Sequence, residues 1–426
     1  MKMKTIARLM PLLAIGLASG QASAAGFQLL EQNASGIGNA YAGSAAVAEN
    51  ASTIFFNPAG MTKLKDREIS VGFSAVRPTF KFDNRGSSVG ALGAAGEGGD
   101  AGSWAFVPNG YLSWAIAKDV YAGIGFGAPF GLVTEYDNPW LGGAQALKFD
   151  IKTYNINPSI ALKATETVSI GAGISIQRME VEYSRLAAVA SPALASTKAT
   201  LSAGDTSWGW NVGALFTLSP ATKVGVSYRS KIRHTLEGDL SVSGPAQNAN
   251  AALTSGSAKA FVELPDTFIL SVAQQLNDRW ELLGDASWTG WSSIDKVDIV
   301  RTSGALSGRT VQTLDTAFRD SWRYALGANY RLNETVKLKF GVAYDQTPVP
   351  DVAHRLVSLP DANRTWLTTG AQIKLDKASV VDLGAAYIQV SENHIDNNQT
   401  ALGRGQVKGV FDARVWILGA QYSMAF

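Results

Sequence analysis

The segment "VWILGAQYSMAF", residues 415–426, ends the chain with an apolar residue at every second position. Successive side chains of a β-strand point to opposite faces of the sheet. One face of this segment is therefore apolar throughout, and its last member is the C-terminal residue: Trp416, Leu418, Ala420, Tyr422, Met424 and Phe426. The pattern indicates a strand with one side in apolar surroundings.

The same alternation recurs in "YNINPSIAL" (154–162), "WRYALGANYRL" (322–332) and "VKLKFGVAYD" (336–345). A transmembrane β-barrel requires strands that are apolar outside and polar inside, because lipid cannot satisfy an open sheet edge. A large soluble sandwich with one buried face also alternates. The sequence therefore needs a second feature to separate these two fold classes.

Aromatic residues favour the barrel, because they end several apolar faces where interfacial girdles would lie. These residues are Trp208, Trp210, Tyr228, Trp280, Trp288, Trp322 and Trp366. The terminal Phe426 resembles the signal by which bacterial outer-membrane barrels are recognised for assembly, so we expect the barrel assembly machinery as a partner.

The N-terminus has the organisation of a secretory leader. Lys2, Lys4 and Arg8 precede an apolar segment at 9–18, and Ala22-Ser23-Ala24 is a small-residue cleavage site. The pattern predicts a signal peptide over residues 1–24. Loss of its three basic residues lowers the formal net charge from +2 to −1, so no basic surface argues for nucleic acid. The chain has no cysteine, which excludes disulfides and thiolate sites.

Connections between the predicted strands fall into two length classes. Six short polar turns follow Ala117, Leu162, Leu218, Leu276, Leu332 and Leu375, and seven longer loops cover about 83–103, 129–146, 185–205, 237–257, 302–311, 346–363 and 393–404. Short periplasmic turns and long outer loops are the rule for bacterial barrels. The count predicts an all-β fold, a 14-stranded antiparallel transmembrane barrel over residues 67–426, in the outer membrane of a Gram-negative bacterium.

Two strands break the alternation. In the first, the apolar set shifts by one across Arg77-Pro78, which predicts a bulge or emergence from lipid. In the third, the run "GIGFGAPFG" (123–131) crowds glycines around a proline that cannot donate to a ladder. Either a kinked, locally unpaired wall or a tight bend that only shapes the barrel would suit it.

Residues 25–66 lack strand alternation and a long amphipathic helix. Fourteen strands enclose a lumen too wide for wall side chains to fill, so we interpret this segment as an N-terminal hatch (plug) inside the lumen. Asn57-Pro58 predicts a turn whose carboxamide holds neighbouring backbone groups. A flexible periplasmic tail is the alternative, but it would expose Ile54, Phe55 and Met61.

The chain then shows a family resemblance. The start "AGFQLLEQNASGIGNAYAGSAAVAENASTIFFNPAG" (25–60), followed by "PFGLVTEYD", "FRDSWRYALGANY", "AYDQTPVPD" and "LPDANRTWLTTGA", resembles FadL-type outer-membrane long-chain fatty acid transporters and their relatives that admit aromatic hydrocarbons. The resemblance covers essentially the whole mature chain. It implies a hatch motif at Asn57, Pro58 and Ala59, and a lateral opening in the third strand at Gly125, Gly127, Pro129 and Gly131.

The resemblance also implies a function, the passive uptake of hydrophobic molecules. We expect long-chain fatty acids as ligands, with neutral or aromatic hydrocarbons as the alternative, and outer-membrane lipid and lipopolysaccharide as surroundings. The resemblance implies ligand contacts at Phe27, at the hatch tip, and at Arg178, a carboxylate partner near the outer end of the fifth strand. The expected outer groove residues, which loop packing would also explain, are Leu186, Leu194, Leu201, Leu240 and Leu253.

Other functional classes find little support. None of His234, His354 and His394 has metal-ligand spacing with another, and the sequence fixes no catalytic triad. We therefore expect no enzyme, cofactor or metal, although an outer-membrane hydrolase remains an alternative. A general porin for hydrophilic solutes is disfavoured by the plug and the apolar loops.

Overall fold

The computed structural model describes residues 26–187, 189 and 191–426. The predicted signal peptide, residues 1–24, lies outside the described residues. Twenty β-strands make up the sheet: β1 Arg67–Asn84, β2 Ala105–Ala117, β3 Val120–Gly127, β4 Gly131–Glu135, β5 Lys148–Lys163, β6 Val168–Leu186, β7 Lys198–Ser219, β8 Thr222–Arg229, β9 Ile232–Ser243, β10 Gly256–Leu264, β11 Thr267–Gln275, β12 Trp280–Thr289, β13 Lys296–Arg301, β14 Thr310–Asp315, β15 Ser321–Arg331, β16 Val336–Asp345, β17 Arg364–Lys374, β18 Ser379–Val390, β19 Asn393–Asn398 and β20 Gln406–Ala425.

These twenty strands form fourteen barrel strands, because six barrel strands are each divided into two consecutive segments: β3/β4, β8/β9, β10/β11, β12/β13, β14/β15 and β18/β19. All ladders are antiparallel. The sheet closes where β1 pairs with β20 from Glu68 to Asn84. The predicted 14-stranded antiparallel barrel is confirmed. No helix in the described part of the chain is long and apolar enough to cross a membrane.

The outer surface of the barrel carries the apolar side chains. Four aromatic residues stand in register on neighbouring strands, since Phe268 pairs with both Tyr228 and Trp288, and Trp288 pairs with Trp322. This row is an interfacial girdle of the kind that membrane barrels use. Trp366 was expected in a girdle, and that expectation is wrong. Its ring is fully buried inside the barrel, against Tyr41 and Arg323.

The shift in β1 reflects a change of surroundings rather than a bulge. The ladder with β20 runs through it without a register shift. Val71 and Phe73 are exposed on the outer face, whereas Val76, Phe80 and Phe82 are buried inside. The barrel interior is therefore apolar above the membrane, and several strands, including β6, β7 and β9, extend into segments predicted as loops.

The segment before β1 fills the lumen. We call residues 26–66 the hatch; its regular elements are the short helix Thr53–Phe56 and the 3-10 turns Ile37–Asn39 and Pro58–Lys63. Hatch backbone touches inward-facing glycines of the wall, so that a Cβ atom at Gly225 or Gly341 would collide with it. The remaining 3-10 turns are Gly90–Leu92, Pro192–Leu194, Ala251–Leu253, Trp291–Ser293 and Thr400–Leu402.

Candidate ligand cavity and its closures

A cavity lies between the hatch and the barrel wall. Its hatch and β3/β4 side is mostly apolar, with Leu30, Phe55, Phe56, Pro129 and Phe130. The side formed by β8, β11, β12, β15 and β16 is mostly polar: Ser227, Arg229, Thr267, Asp285, Ser287, Thr289, Ser321, Arg323 and Asp345. Such an amphipathic cavity matches a molecule with an apolar body and a polar head.

The N-terminal end of the hatch spans this cavity. Its backbone pairs with the wall at the third barrel strand, where Leu29 N–H donates to Pro129 O and Gly131 N–H donates to Phe27 O, each at 2.8 Å. The Gln28 carboxamide reaches the opposite wall, 3.2 Å from the hydroxyls of both Thr267 and Thr289. The segment therefore joins two sides of the barrel across the lumen.

Phe27 belongs to an aromatic cluster at the top of the cavity. Its ring centroid lies 5.9 Å from Phe130 and 5.0 Å from Trp291, and Trp291 lies 5.9 Å from Phe318. Phe130 and Trp291 line the cavity, whereas Phe27 packs behind them.

The third barrel strand is interrupted where the glycine run predicts. β3 ends at Gly127 and β4 begins at Gly131, and the β2/β3 ladder stops at Gly110 and Phe126. A Cβ atom at Gly125 would lie 2.9 Å from the Tyr111 ring, and one at Gly127 would collide with the Gln32 carboxamide. These glycines allow the hatch and Tyr111 to approach the wall closely.

The wall beside this interruption carries no described ladder toward β3 over residues 105–109 of β2. The space is closed from inside, because Gln32 Nε2 donates to Ala128 O at 2.7 Å and Tyr111 Oη donates to Gln32 O at 2.7 Å. The interruption is thus a gap in the sheet that the hatch covers, and we call it the β3/β4 gap.

Below the cavity the hatch closes the lumen. Tyr41, Ser44 and Phe56 line both the cavity and a second space within the hatch. The Tyr41 and Phe56 rings stack with centroids 5.7 Å apart, and Tyr41 Oη donates to Asn33 O at 2.9 Å. Tyr41 holds a left-handed φ of 58°, a conformation that an aromatic residue rarely adopts. Packing on both sides fixes this ring as the barrier between the two spaces.

The hatch motif forms a bracket at the lower end. Asn57 Oδ1 accepts from Ala59 N–H at 3.1 Å, while its Nδ2 donates to Ala45 O and to Ala214 O of β7. Pro58 begins the 3-10 turn, where its missing N–H costs nothing. The motif therefore fixes one hatch turn to another and to the wall.

Comparison with known proteins places this architecture. The family model for outer membrane protein transport proteins (OMPP1/FadL/TodX) matches residues 15–426. The chain belongs to this family. It is 32% identical over 405 residues to the 47 kDa outer membrane protein of Pasteurella multocida, covering 89% of this chain and 91% of that protein. It is therefore an outer-membrane protein.

Two further relatives extend over nearly the whole chain. The long-chain fatty acid transport protein of Salmonella typhi is 27% identical over 437 residues and covers 97% of each chain. The crystal structure of a Pseudomonas aeruginosa FadL homologue superposes with a TM-score of 0.85 at 25% identity, covering 94% of this chain and 99% of that one.

The structure does not bring all the expected ligand residues of this family member together. Leu186 and Leu201 are buried in the upper core, and Leu240 packs against it opposite Leu201. Leu194 is 37% exposed, and Leu253 is half-buried in the next loop. The five leucines therefore do not form one open groove, and their role in capture stays a prediction.

Arg178 is not among the residues that line the cavity. It lies on the outer face of β6, in the same alternating row as the exposed Ile174 and Ile176, and its guanidinium pairs with Glu180 at 3.3 Å. The cations that do line the cavity are Arg229 and Arg323. In the sequence, only the alternation of polar and apolar residues indicates that Arg229 and Arg323 face the lumen, because both occupy polar positions within strands.

The three histidines are far apart along the chain and have separate partners. His234 is buried in β9 with Nδ1 3.0 Å from Asp205, His354 contacts Asp351, and His394 contacts Glu392. No group of three or more His, Cys, Asp or Glu residues placed to hold a metal ion occurs within the described ranges.

A buried ion cluster ties the hatch to the wall. Glu49 accepts from Lys337 Nζ at 2.8 Å and from Lys339, and Lys339 also contacts Asp382 at 3.1 Å and donates to Ser35 O at 2.9 Å. Burial opposes ionisation of Glu49, but Lys337 and Lys339 outweigh it and hold the Glu49 pKa well below its usual range. We call this group the hatch anchor.

Proposed function

We propose that this protein takes up long-chain fatty acids passively across the outer membrane. The observation that carries the proposal is the amphipathic cavity above a closed hatch. The apolar side can bury an acyl chain, which gains roughly 0.8 kcal/mol for each buried methylene. The polar side, with its guanidinium groups, suits a carboxylate.

Arg323 is the proposed carboxylate partner. Its side chain is buried, its Nη2 donates to Ala40 O at 2.6 Å, and its guanidinium lies 5.0 Å from the Trp366 ring. Its Nε has no hydrogen-bond partner within the described structure, although it is a buried donor in the cavity wall. A ligand oxygen there would satisfy it, and hydrogen bonds to charged groups contribute about 1.5–3 kcal/mol.

Arg229 completes the cationic side but has partners of its own. Its guanidinium donates to Ser175 Oγ at 2.6 Å and Phe55 O at 2.9 Å, and stacks 4.3 Å from the Phe55 ring. These contacts hold Phe55 in the cavity wall. We propose that Arg229 shapes the site, whereas Arg323 selects the head group.

For release we propose the β3/β4 gap, which leads from the cavity directly toward lipid. Opening would require residues 27–32, which close the gap from inside, to leave it. Leu194 and Leu253, the members of the predicted outer set that are not part of the upper core, would make the first contacts with the ligand. Lateral discharge keeps the acyl chain out of water throughout.

Neutral or aromatic hydrocarbons are the alternative ligands. They would fit the apolar side but would leave the Nε donor of Arg323 unsatisfied, which is costly in a desolvated site. The named relatives are transport and outer-membrane proteins. We therefore propose a transporter without enzymatic activity, which needs no cofactor.

Uptake by cells that lack other fatty acid carriers tests the ligand class. Arg323→Gln should lower uptake of radiolabelled oleate 10- to 100-fold and leave uptake of radiolabelled toluene within twofold. Arg178→Gln is the matched control and should change neither. Equal effects of the two substitutions, or equal loss of both substrates, would refute the carboxylate role of Arg323.

A further inference from the structure

Four consecutive barrel strands are interrupted at the same height. The interruptions fall at 230–231, 265–266, 290–295 and 316–320. Each lies just beyond the girdle row of Tyr228, Phe268, Trp288 and Trp322. This level is therefore the polar layer immediately outside the apolar part of the membrane.

One pair of strands at this level loses its ladder. β10 and β13 pair only through Ala258–Ala260 and Ile299–Arg301, although β10 continues to Leu264 and β13 begins at Lys296. The other edge of β10 stays paired with β9 to Leu264, and the other edge of β13 is paired with β14 from Lys296. The separation is thus confined to this seam, which we call the β10/β13 gap.

Side-chain exposure marks the same place. Among the inward residues of β10, Ala258, Ala260 and Leu264 are buried, but Val262 is partly exposed. On β13, Ile299 is buried, but Val297 is partly exposed. Continuation of the observed register would put Val262 directly opposite Val297. The two valines therefore lose burial where the ladder between their strands is missing.

A short turn packs beside the gap. The 3-10 turn Trp291–Ser293 is held by Gly290 N–H donating to Asp266 O at 3.0 Å and Ser293 Oγ donating to Glu263 O at 2.8 Å. Val262 and Val297 pack against the cluster that contains Trp291. Trp291 in turn lines the ligand cavity. Trp291 therefore belongs both to the cluster behind the gap and to the cavity wall.

The outer rim combines an exposed apolar group with cations. Phe261 is 56% exposed, and Lys259 Nζ lies 5.3 Å from its ring. Lys231 and Arg233 both contact Glu263, the next outward residue of β10. This rim suits a molecule that carries an acyl chain and an anionic head.

We propose that the β10/β13 gap is a second lateral opening, through which single-chain anionic amphiphiles enter from the polar layer outside the membrane, and that the Trp291 ring closes its inner side. We call this opening the entry window. The inference rests on the proposed function. It gives the ligand a side entrance at the girdle level, separate from the exit at the β3/β4 gap. Rotation of Trp291 away from Phe27 and Phe130 would join the window to the cavity.

The absence of native cysteine allows a direct test. Val262→Cys and Val297→Cys should react with a membrane-impermeant maleimide on intact cells at least tenfold faster than Ala260→Cys. The control residue faces the same way two positions earlier, within the intact ladder. Equal reactivity of the three variants would overturn the window.

Blocking the window should then stop uptake. Modification of Val262→Cys with benzyl methanethiosulfonate should reduce oleate uptake at least fivefold, and dithiothreitol should restore it. Undiminished uptake by the fully modified protein would overturn the window while leaving the proposed function intact. Failure of the unmodified protein to take up oleate would instead overturn the proposed function.

Discussion

Neutralising Glu49 should release the hatch. Glu49 lies between Lys337 and Lys339, and Lys339 is almost completely buried. Glu49→Gln keeps the shape of the side chain but leaves Lys339 with Asp382 as its only carboxylate partner within the described structure. Removing one partner of a buried ion pair costs about 3–5 kcal/mol. Since Glu49 is partly solvated, we take the lower end, about 3 kcal/mol, which is roughly a 100-fold change in a local equilibrium.

The assay is ion conductance in planar bilayers, because a displaced hatch leaves the wide lumen open to water. The Glu49→Gln protein should conduct for about 100-fold more of the recording time than the native protein. Lys337→Gln should have a smaller effect, because Lys339 keeps its pairing with Glu49. Glu166→Gln, at an exposed pair with Lys163, is the control and should have none. Native-like conductance of Glu49→Gln, or a larger effect of Lys337→Gln, would show that the anchor does not hold the hatch.

Three further predictions concern the hatch. Residues Gln28 and Phe130 are an antiparallel pair without direct hydrogen bonds, so their Cα atoms are close enough for a disulfide. A disulfide between Gln28→Cys and Phe130→Cys should abolish oleate uptake until it is reduced. Uptake by the oxidised protein would exclude movement of the N-terminal end of the hatch. Asn57→Ala leaves two carbonyls without their donor, so hatch opening measured by conductance should become easier by about 1–3 kcal/mol, and unchanged conductance would contradict the bracket. Burial raises the pKa of Glu31 from an ordinary 4.5 to about 7. The protonated Glu31 side chain therefore stabilises the closed hatch fully below pH 4.5, and about 3 kcal/mol of this stabilisation is lost as the pH rises through 7. Conductance should therefore increase from pH 5 to pH 8 in the native protein and change less in Glu31→Gln; equal slopes would refute the assignment.

Alternation and turn length predicted much of the barrel. Lipid outside and water or hatch inside impose a period of two on every strand, and that period can be counted residue by residue. The glycine run at 123–131 likewise predicted an irregular third strand, because glycine and proline weaken a ladder wherever they occur. The segment before β1 was predicted as a plug because a wide lumen needs one.

The position of Arg178 shows where this reasoning fails. Its likeness to a ligand-binding position near the outer end of the fifth strand predicted a ligand contact, whereas the register of β6 turns its side chain away from the cavity. The prediction for Trp366 is wrong in the opposite sense, because its side chain was expected to face lipid and packs inside the barrel. An aromatic residue near a strand end suits a girdle and an inner packing site equally well. A shift of the register by one residue turns a side chain to the opposite face of the sheet and changes all its contacts, and the composition of the segment does not reveal such a shift.

The sequence by itself determined the period of the strands, their number and the need for a plug, because each depends on local pattern and on the solvent that surrounds it. Only the tertiary structure decided that Arg323 faces the cavity, that Glu49 meets Lys337 and Lys339, and that Val262 and Val297 flank a gap. These contacts join residues remote in sequence. They depend on barrel closure and strand register, which no short stretch of sequence specifies.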